Sequence, residues 1–313
     1  MAALVQALES SVNRHPAEGL LLSGGLDTSV LAALAARRQK PYCLTVAWRG
    51  APAPDIEYAK KAAARFYLNH AVHYFGEEQL ESGLQAVVPV LGTFDPMEIR
   101  NSVACYIGLQ AAREKGLSSV MTGDGGDELL AGYSFLFDLT PDKLAAELAK
   151  MWSNMSFSSL SLAKHLGIEV SLPFLDSEFK SLAMRLDPGL LIEKHNGQTY
   201  GKWILRRAFE SILFSDLVWR VKAPLEVGCG TTALPSFYEA CISNSEYAEK
   251  KERYLVDDKV RLRSKEHLHY YEIYRRCVGV PCLSAANVAK CPECGGSVKE
   301  NTAYCRICGS YPI

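Results

Sequence analysis

Two glycine-bearing stretches hold the side chains best placed to do chemistry. The first, Ser23-Gly24-Gly25-Leu26-Asp27-Thr28-Ser29, follows the apolar run Leu20-Leu21-Leu22 and leads into Val30, Leu31 and Leu34. An apolar run broken by a hydroxyl and paired glycines, then turning amphipathic, predicts a buried strand, a tight turn and the first turn of a helix. Such a junction aims several backbone N–H groups at one point on the positive end of a helix dipole, which suits a phosphate or pyrophosphate. The glycines let the backbone come close to an anion, and Ser23, Thr28 and Ser29 add hydroxyl donors. Asp27 faces the same anion, which makes chemical sense when a divalent cation sits between them. The second stretch, Thr122-Gly123-Asp124-Gly125-Gly126-Asp127-Glu128, leaves three carboxylates beyond one strand end. Unpaired acids in such a cluster are costly, so a metal or a cationic group is expected against them.

Neither stretch is one of the commoner phosphate loops. The lysine of GxxxxGK[ST] is missing, and so is GxGxxG. Candidate cations come later: Lys202, Arg206 and Arg207 on a helix after Gly197, then Trp219-Arg220-Val221-Lys222. They could reach a polyphosphate, although a basic helix taken alone reads as a solvated face. At the C-terminus Cys291-Pro292-Glu293-Cys294 and Cys305-Arg306-Ile307-Cys308 form two CxxC knuckles. Four thiolates at that spacing predict a closed, structural Zn²⁺ site. A segment this short buries no core of its own, so the metal must hold it, at about 10–16 kcal/mol in peptide models. Structural or partner docking is the expected role of this ribbon. His267 and His269 face different sides of a helix and make no metal pair.

The elements that position these groups alternate. Strands are expected at 19–22, 42–48, 70–75 and 118–122, with helices over 1–18, to about 38, and over 55–68, 77–90 and 97–115. Alternation of this kind means an α/β fold, a parallel sheet with helices on both faces. Ligands then bind beyond the carboxyl ends of the strands, where both acidic loops lie. Past Tyr133 the rhythm stops: helices are expected over 138–152 and 157–166, an apolar connector over 168–176, and a charged helical region over 230–285. The expected domains are therefore a nucleotide-binding part (1–137), a helical part (138–285) and a small zinc ribbon (286–313).

Bulk properties narrow the partners. A chain of 313 residues with net charge −1 carries no strongly basic surface, so nucleic acid is a disfavoured partner. No apolar run reaches membrane-spanning length, and the N-terminus lacks the basic start and long apolar core of a signal peptide. Six scattered cysteines in an enzyme-like chain predict a reducing cytoplasm.

SGGLDTS resembles the pyrophosphate loop of the ATP pyrophosphatases, the PP-loop enzymes that cleave ATP between its α- and β-phosphates. From about Gly19 to Gly230 the chain resembles the synthetase domain of the asparagine synthetases, through SGGLDTS, the Val46 strand end, FDPMEIRNS, TGDGGDELLAGY, GIEVSLPFLD, YGKWILRRAF and WRVKAPLEVG, in family order. The resemblance implies an adenine-nucleotide alpha-hydrolase-like fold and an ATP site lined by Leu22, Val46, Thr122 and Gly123. Pyrophosphate would lie on Ser23, Gly24, Gly25, Asp27, Thr28 and Ser29, with Mg²⁺ held by Asp27 and Asp127. Lys222 would stabilise charge on the leaving group, Arg100 would line the acceptor and nucleotide cleft, and Asp124 would handle the proton of the attacking amine. The implied reaction is AMP- and pyrophosphate-forming amide synthesis through an acyl-adenylate, with aspartate the favoured carboxylate.

Three departures qualify that resemblance. The family's usual glutaminase domain is not found in the sequence, which implies free ammonia or a separate glutaminase chain. The family usually has glutamate at Asp124. An arginine usual before PFLD is Ser171, and basic residues upstream are replaced by Ser158, Ser159 and Ser161. A different PP-loop acceptor, such as an RNA base, is the alternative. A non-catalytic nucleotide sensor is a third reading, but it would be expected to lose Asp27, Asp127 or Lys222, and all three are present.

Overall fold

Leu20, Leu22, Cys43 and Met121 are completely buried, because the strands and strand ends that carry them are covered on both faces. In the computed structural model, which describes residues 1–283, 289–298 and 302–313, the chain begins with α1 (Ala2–Arg14), β1 (Gly19–Leu21), α2 (Leu26–Ala35), β2 (Tyr42–Trp48) and α3 (Asp55–Arg65). It continues through β3 (His70–Phe75), α4 (Glu77–Leu91), α5 (Pro96–Glu114), β4 (Ser119–Met121), α6 (Gly126–Leu129), α7 (Pro141–Ser153) and α8 (Ser158–Leu166). Then come β5 (Glu169–Ser171), α9 (Ser177–Ala183), β6 (Glu193–His195), β7 (Gln198–Tyr200), α10 (Trp203–Phe209), α11 (Ser215–Val218) and α12 (Leu225–Cys229). The last elements are α13 (Leu234–Cys241), α14 (Asn244–Asp257), α15 (Lys265–Cys277), β8 (Ala289–Lys290) and β9 (Ser297–Val298). Among the described residues no helix is long and apolar enough to cross a membrane.

Five strands form one sheet in the order β3-β2-β1-β4-β5. β1 runs parallel to β2 on one side (Leu20 opposite Cys43) and to β4 on the other (Leu20 opposite Met121). The chain thus changes winding direction between β1 and β4. In a parallel sheet the crevice beyond the carboxyl ends at such a switch is where ligands bind. Both acidic loops leave from these two adjacent strand ends.

Two elements differ from the sequence expectation. The stretch 168–176, expected as a connector, contains β5, which pairs parallel with β4 (Val120 opposite Val170) before Pro173 opens a short 3₁₀ turn. Three residues are too few to show a period, and Pro173 conceals the strand by stopping it. The antiparallel β6–β7 hairpin was also unexpected, although its turn, Asn196-Gly197, has positive φ at both residues (50° and 81°), the conformation this dipeptide favours.

The chain forms two compact units, each assembled from separated segments. The first comprises 1–46, 53–73 and 108–224; the second comprises 47–52, 74–107 and 225–313. They cut across the sequential blocks 1–137, 138–285 and 286–313, because contacts follow packing whereas composition follows the chain; the 285/286 boundary itself lies outside the described residues. The core of the first unit joins Leu4, Leu8 and Val12 of α1, Val30, Leu31 and Leu34 of α2, and Phe174, Phe179, Leu205 and Phe209. Arg14 and His15 pin the end of α1 to Asp176, which also caps α9 through the Glu178 and Phe179 amides. In the second unit α15 buries Tyr270, Tyr271 and Tyr274.

Candidate active site

The first loop is held open by its backbone and closed by its hydroxyls. Gly24 has φ +69°, and a Cβ there would stand 2.5 Å from the Ala59 backbone nitrogen. Only glycine fits so near α3 in that conformation. Ser23 Oγ accepts from the Gly25 N–H at 3.2 Å, and Thr28 Oγ1 accepts from the Ser23 N–H at 3.3 Å. Ser23 and Thr28 therefore shape the loop as well as offering hydroxyls to a ligand. Ser29 Oγ, by contrast, is buried with no hydrogen-bond partner among the described residues. A buried polar atom left so is expensive unless a ligand completes it.

The second loop brings Asp127 to Asp27. Lys202 Nζ donates to Asp27 and lies 2.8 Å from Asp127 Oδ1, while Lys222 Nζ stands 3.2 Å from the same Asp127 oxygen. Burial pushes Asp127 up, yet the two ammonium groups outweigh it and hold the carboxyl below its ordinary range. Burial pulls Lys202 down, and Asp127 and Asp27 more than restore it, so the ammonium is favoured. Burial raises Asp27, with the like charge of Asp127 adding to it against Lys202. Asp27 Oδ1 has no hydrogen-bond partner among the described residues. A buried carboxylate oxygen with spare capacity, beside a second carboxylate, is the donor set of a hard divalent cation. Close packing keeps the pair tight: a Cβ on Gly132 would collide with Asp127 Oδ1 and Lys202 Cε.

Lys202 is not on a solvated helix face. It is the residue before α10, with φ 55° and 4% of its surface exposed, and its N–H donates to Leu130 O at 2.9 Å. A lysine in the left-handed region is uncommon and costs about 1–2 kcal/mol. Here the turn aims the ammonium at the acids. Arg206 is buried as well and works on the backbone, donating to the carbonyls of Gly201, Val218 and Arg220. It thereby fixes the segment that carries Arg220 and Lys222. Arg220 donates to Gly24 O at 3.2 Å, pairs with Asp55 at 2.6 Å and lies 4.0 Å over the Tyr58 ring. Lys222 lies 4.0 Å over the Tyr133 ring, whose hydroxyl donates to Glu128 at 2.6 Å. Arg207 stays on the exposed face of α10, paired with Glu210.

The first unit thus gathers Leu22, Ser23, Gly24, Gly25, Asp27, Thr28, Ser29, Val46, Thr122, Gly123, Asp124, Asp127 and Lys222. Asp124 accepts from Thr122 Oγ1 at 2.9 Å and from Ser159 Oγ at 2.5 Å. Burial raises its pKa, against both hydroxyls. Lys202 between the acids, Arg220 on the loop carbonyl and Ser159 on Asp124 are contacts that sequence reasoning did not foresee. The YGKWILRRAF and WRVKAPLEVG motifs carried the two cations, without showing which face of the chain they occupy.

A model of the family described as asparagine synthase matches residues 2–161 and 158–278. The chain belongs to the asparagine synthase family. A probable glutamine-hydrolysing asparagine synthetase of Schizosaccharomyces pombe is 32% identical over 286 residues, covering 78% of this chain and 50% of that protein. Asparagine synthetase B of Escherichia coli is 29% identical over 327 residues, 96% of this chain and 57% of that one. The chain spans about half the length of the curated relatives it matches. Among solved structures, the NH3-dependent NAD synthetase of Campylobacter jejuni aligns over 68% of this chain and 95% of its own, at 18% identity and a TM-score of 0.30.

In this asparagine synthase-family chain the remaining candidates lie in the second unit. Arg100 of α5 pairs with Glu226 at 2.5 Å and with Glu266 at 3.2 Å. Burial raises Glu266 to about 7, against the Arg100 charge. Cys291, Cys294, Cys305 and Cys308 are all buried, with their sulfurs within 4.8 Å of one another. The Cys291–Cys308 and Cys294–Cys305 sulfurs are each 3.8 Å apart. A tetrahedron of Zn–S bonds of about 2.3 Å has edges of about 3.8 Å, so the thiols fit zinc. The ribbon is bonded into its own unit. Ile307 O accepts from the Phe94 N–H at 2.8 Å, Tyr304 donates to Asp95, and Arg263 donates to Cys308 O and Gly309 O.

Proposed function

We propose that this chain makes an amide from a carboxylate and ammonia at the expense of ATP, releasing AMP and pyrophosphate. Aspartate is the favoured acceptor, giving asparagine, with ammonia free or delivered by a separate glutaminase. The observation that carries the reading is the meeting of Asp27 and Asp127, from adjacent strand ends, against Lys202 and Lys222. A site with two acids and two cations suits a magnesium-bound polyphosphate. The acids would hold Mg²⁺, which neutralises phosphate charge when bound.

Leu22, Val46, Thr122 and Gly123 would line the nucleotide. Ser23, Gly24, Gly25, Thr28 and Ser29 would cradle the pyrophosphate on the first-turn amides of α2. The acceptor carboxylate attacks the α-phosphate, its oxygen forming the new P–O bond as the bond to pyrophosphate breaks. Lys222 opposes the charge that gathers on the departing oxygens, an effect of fixed electrostatics. Ammonia then adds to the acyl carbon, Asp124 takes its proton, and AMP leaves. The four cysteines are read as a structural Zn²⁺ site, and the six cysteines scattered along the rest of the chain suit a reducing cytoplasm.

The test is pyrophosphate release from ATP and Mg²⁺, with ammonium present and candidate carboxylic acids supplied one at a time. Release with aspartate together with asparagine formation supports the reading. Release only with RNA would point to an adenylated base instead, and ADP as product would overturn the chemistry altogether.

A further inference from the structure

Asp124 is gripped from two directions, and one of them is a departure from the family pattern. Thr122 Oγ1, at the end of the same strand, donates to Asp124 Oδ2 at 2.9 Å. Ser159 Oγ donates to the same oxygen at 2.5 Å, from the first turn of α8. Ser159 is 3% exposed. The Ser158, Ser159 and Ser161 segment stands where the resemblance leads one to expect basic residues, so a neutral hydroxyl meets this carboxylate in place of a cation.

We propose that Ser159 is a positioning residue for the amide-forming step: with Thr122 it holds Oδ2 of Asp124, leaving Oδ1 to take the proton of incoming ammonia. This rests on the reading of Asp124 as the proton acceptor. In that step the nitrogen lone pair forms the C–N bond and the C–O bond to AMP breaks with its electrons on the phosphate. One N–H bond breaks, its electrons stay on nitrogen, and the proton moves to Oδ1. A carboxylate free to rotate offers either oxygen in many orientations; two donors on one oxygen select a single orientation, which is how supporting contacts raise proton-transfer efficiency. A neutral donor also suits the task. An arginine or lysine in its place would hold the carboxylate as an anion too weakly basic to accept a proton, whereas burial without any donor would leave it protonated and unable to accept one. Among the described residues, the charged group bearing on Asp124 is Asp127 of α6, whose like charge also raises it.

The test uses the full chain with Ser159→Ala and Ser159→Thr. Hydroxyl donors favour the ionised carboxylate, so carbon-detected NMR of the unliganded protein should find the Asp124 carboxyl titrating about one pH unit higher in Ser159→Ala and near its original value in Ser159→Thr, with Asp124→Asn identifying the resonance. ATP–pyrophosphate exchange with the acceptor carboxylate, which reports adenylation alone, should be unchanged. Ammonium-dependent amide formation should fall about tenfold to a hundredfold in Ser159→Ala, with its acid limb moved to higher pH, and recover in Ser159→Thr. An unmoved Asp124 titration, or exchange and amide formation falling together, overturns the proposal. If the unsubstituted chain shows no exchange with any carboxylate, the parent reading fails and the amide-step role with it. The carboxyl titration would still decide whether Ser159 governs Asp124.

Discussion

Lys202 Nζ lies 2.8 Å from Asp127 Oδ1 and donates on its other side to Asp27, so one ammonium serves the carboxylates of both loops. Two half-buried acids this close would repel at the reduced effective dielectric of the site, and the lysine turns that repulsion into two attractions. Lys202→Met keeps most of the apolar stem and removes the charge. It should destabilise the protein by up to about 3 kcal/mol in urea unfolding, because it leaves two half-buried acids without this partner. Adding Asp27→Asn should return part of the loss. A Lys202→Met protein as stable as its parent would show that the acids need no such partner.

Gly24 tests the shape of the first loop. Gly24→Ala forces a side chain into a left-handed backbone and against the Ala59 nitrogen. The backbone term alone is about 1–2 kcal/mol, and the clash adds to it. Urea unfolding should register at least that loss, and ATP should no longer raise the thermal midpoint. An alanine variant stabilised by ATP as strongly as the parent would contradict the close approach.

Asp27 and Lys222 test the chemistry. Asp27→Asn and Lys222→Ala should each lower pyrophosphate release by about 10²–10³-fold, the scale of losing one fixed charge-stabilising group. Circular dichroism and zinc content should stay as in the parent. Full activity in either variant would remove that residue from its assigned role.

The ribbon makes a prediction that is independent of activity. Purified protein should carry one zinc per chain by elemental analysis. Cys294→Ser or chelation should release it. Because Phe94 N–H donates to Ile307 O within the ribbon, the Phe94 amide should then exchange with deuterium at least about tenfold faster. Unchanged protection at Phe94 would mean that the fold of the ribbon does not depend on its metal.

Glu266 gives a pH signature in the second unit. Its carboxyl is raised by burial to about 7, so the folded state binds the proton more tightly than the unfolded state does. Stability is then greatest below the ordinary glutamate range and declines as pH rises towards 7, flattening beyond it. The decline is on the order of 3 kcal/mol, from about 1.4 kcal/mol for each pH unit of displacement. Urea unfolding between pH 4.5 and 8 should show it, and Glu266→Gln should flatten the profile. An identical slope in the glutamine variant would assign the effect elsewhere.

What could be read from the chain alone was whatever is local in sequence. SGGLDTS announces its own strand–turn–helix, because paired glycines, a hydroxyl and an apolar run act within a few residues. The alternation to β4 dictates a parallel sheet, and two CxxC knuckles specify their own tetrahedron. Asp27, Asp127 and Lys222 stood out for the same reason, each within a short motif. The position of Lys202 did not, since its left-handed turn is stabilised by Leu130 and by acids from two other segments. Ser159 reaches Asp124 across 35 positions of chain, and Arg206 is buried by carbonyls it meets only after folding. Three residues of β5 acquire their strand character from β4. Desolvation and long-range pairing decide these cases, and both arise only when distant segments close on one another.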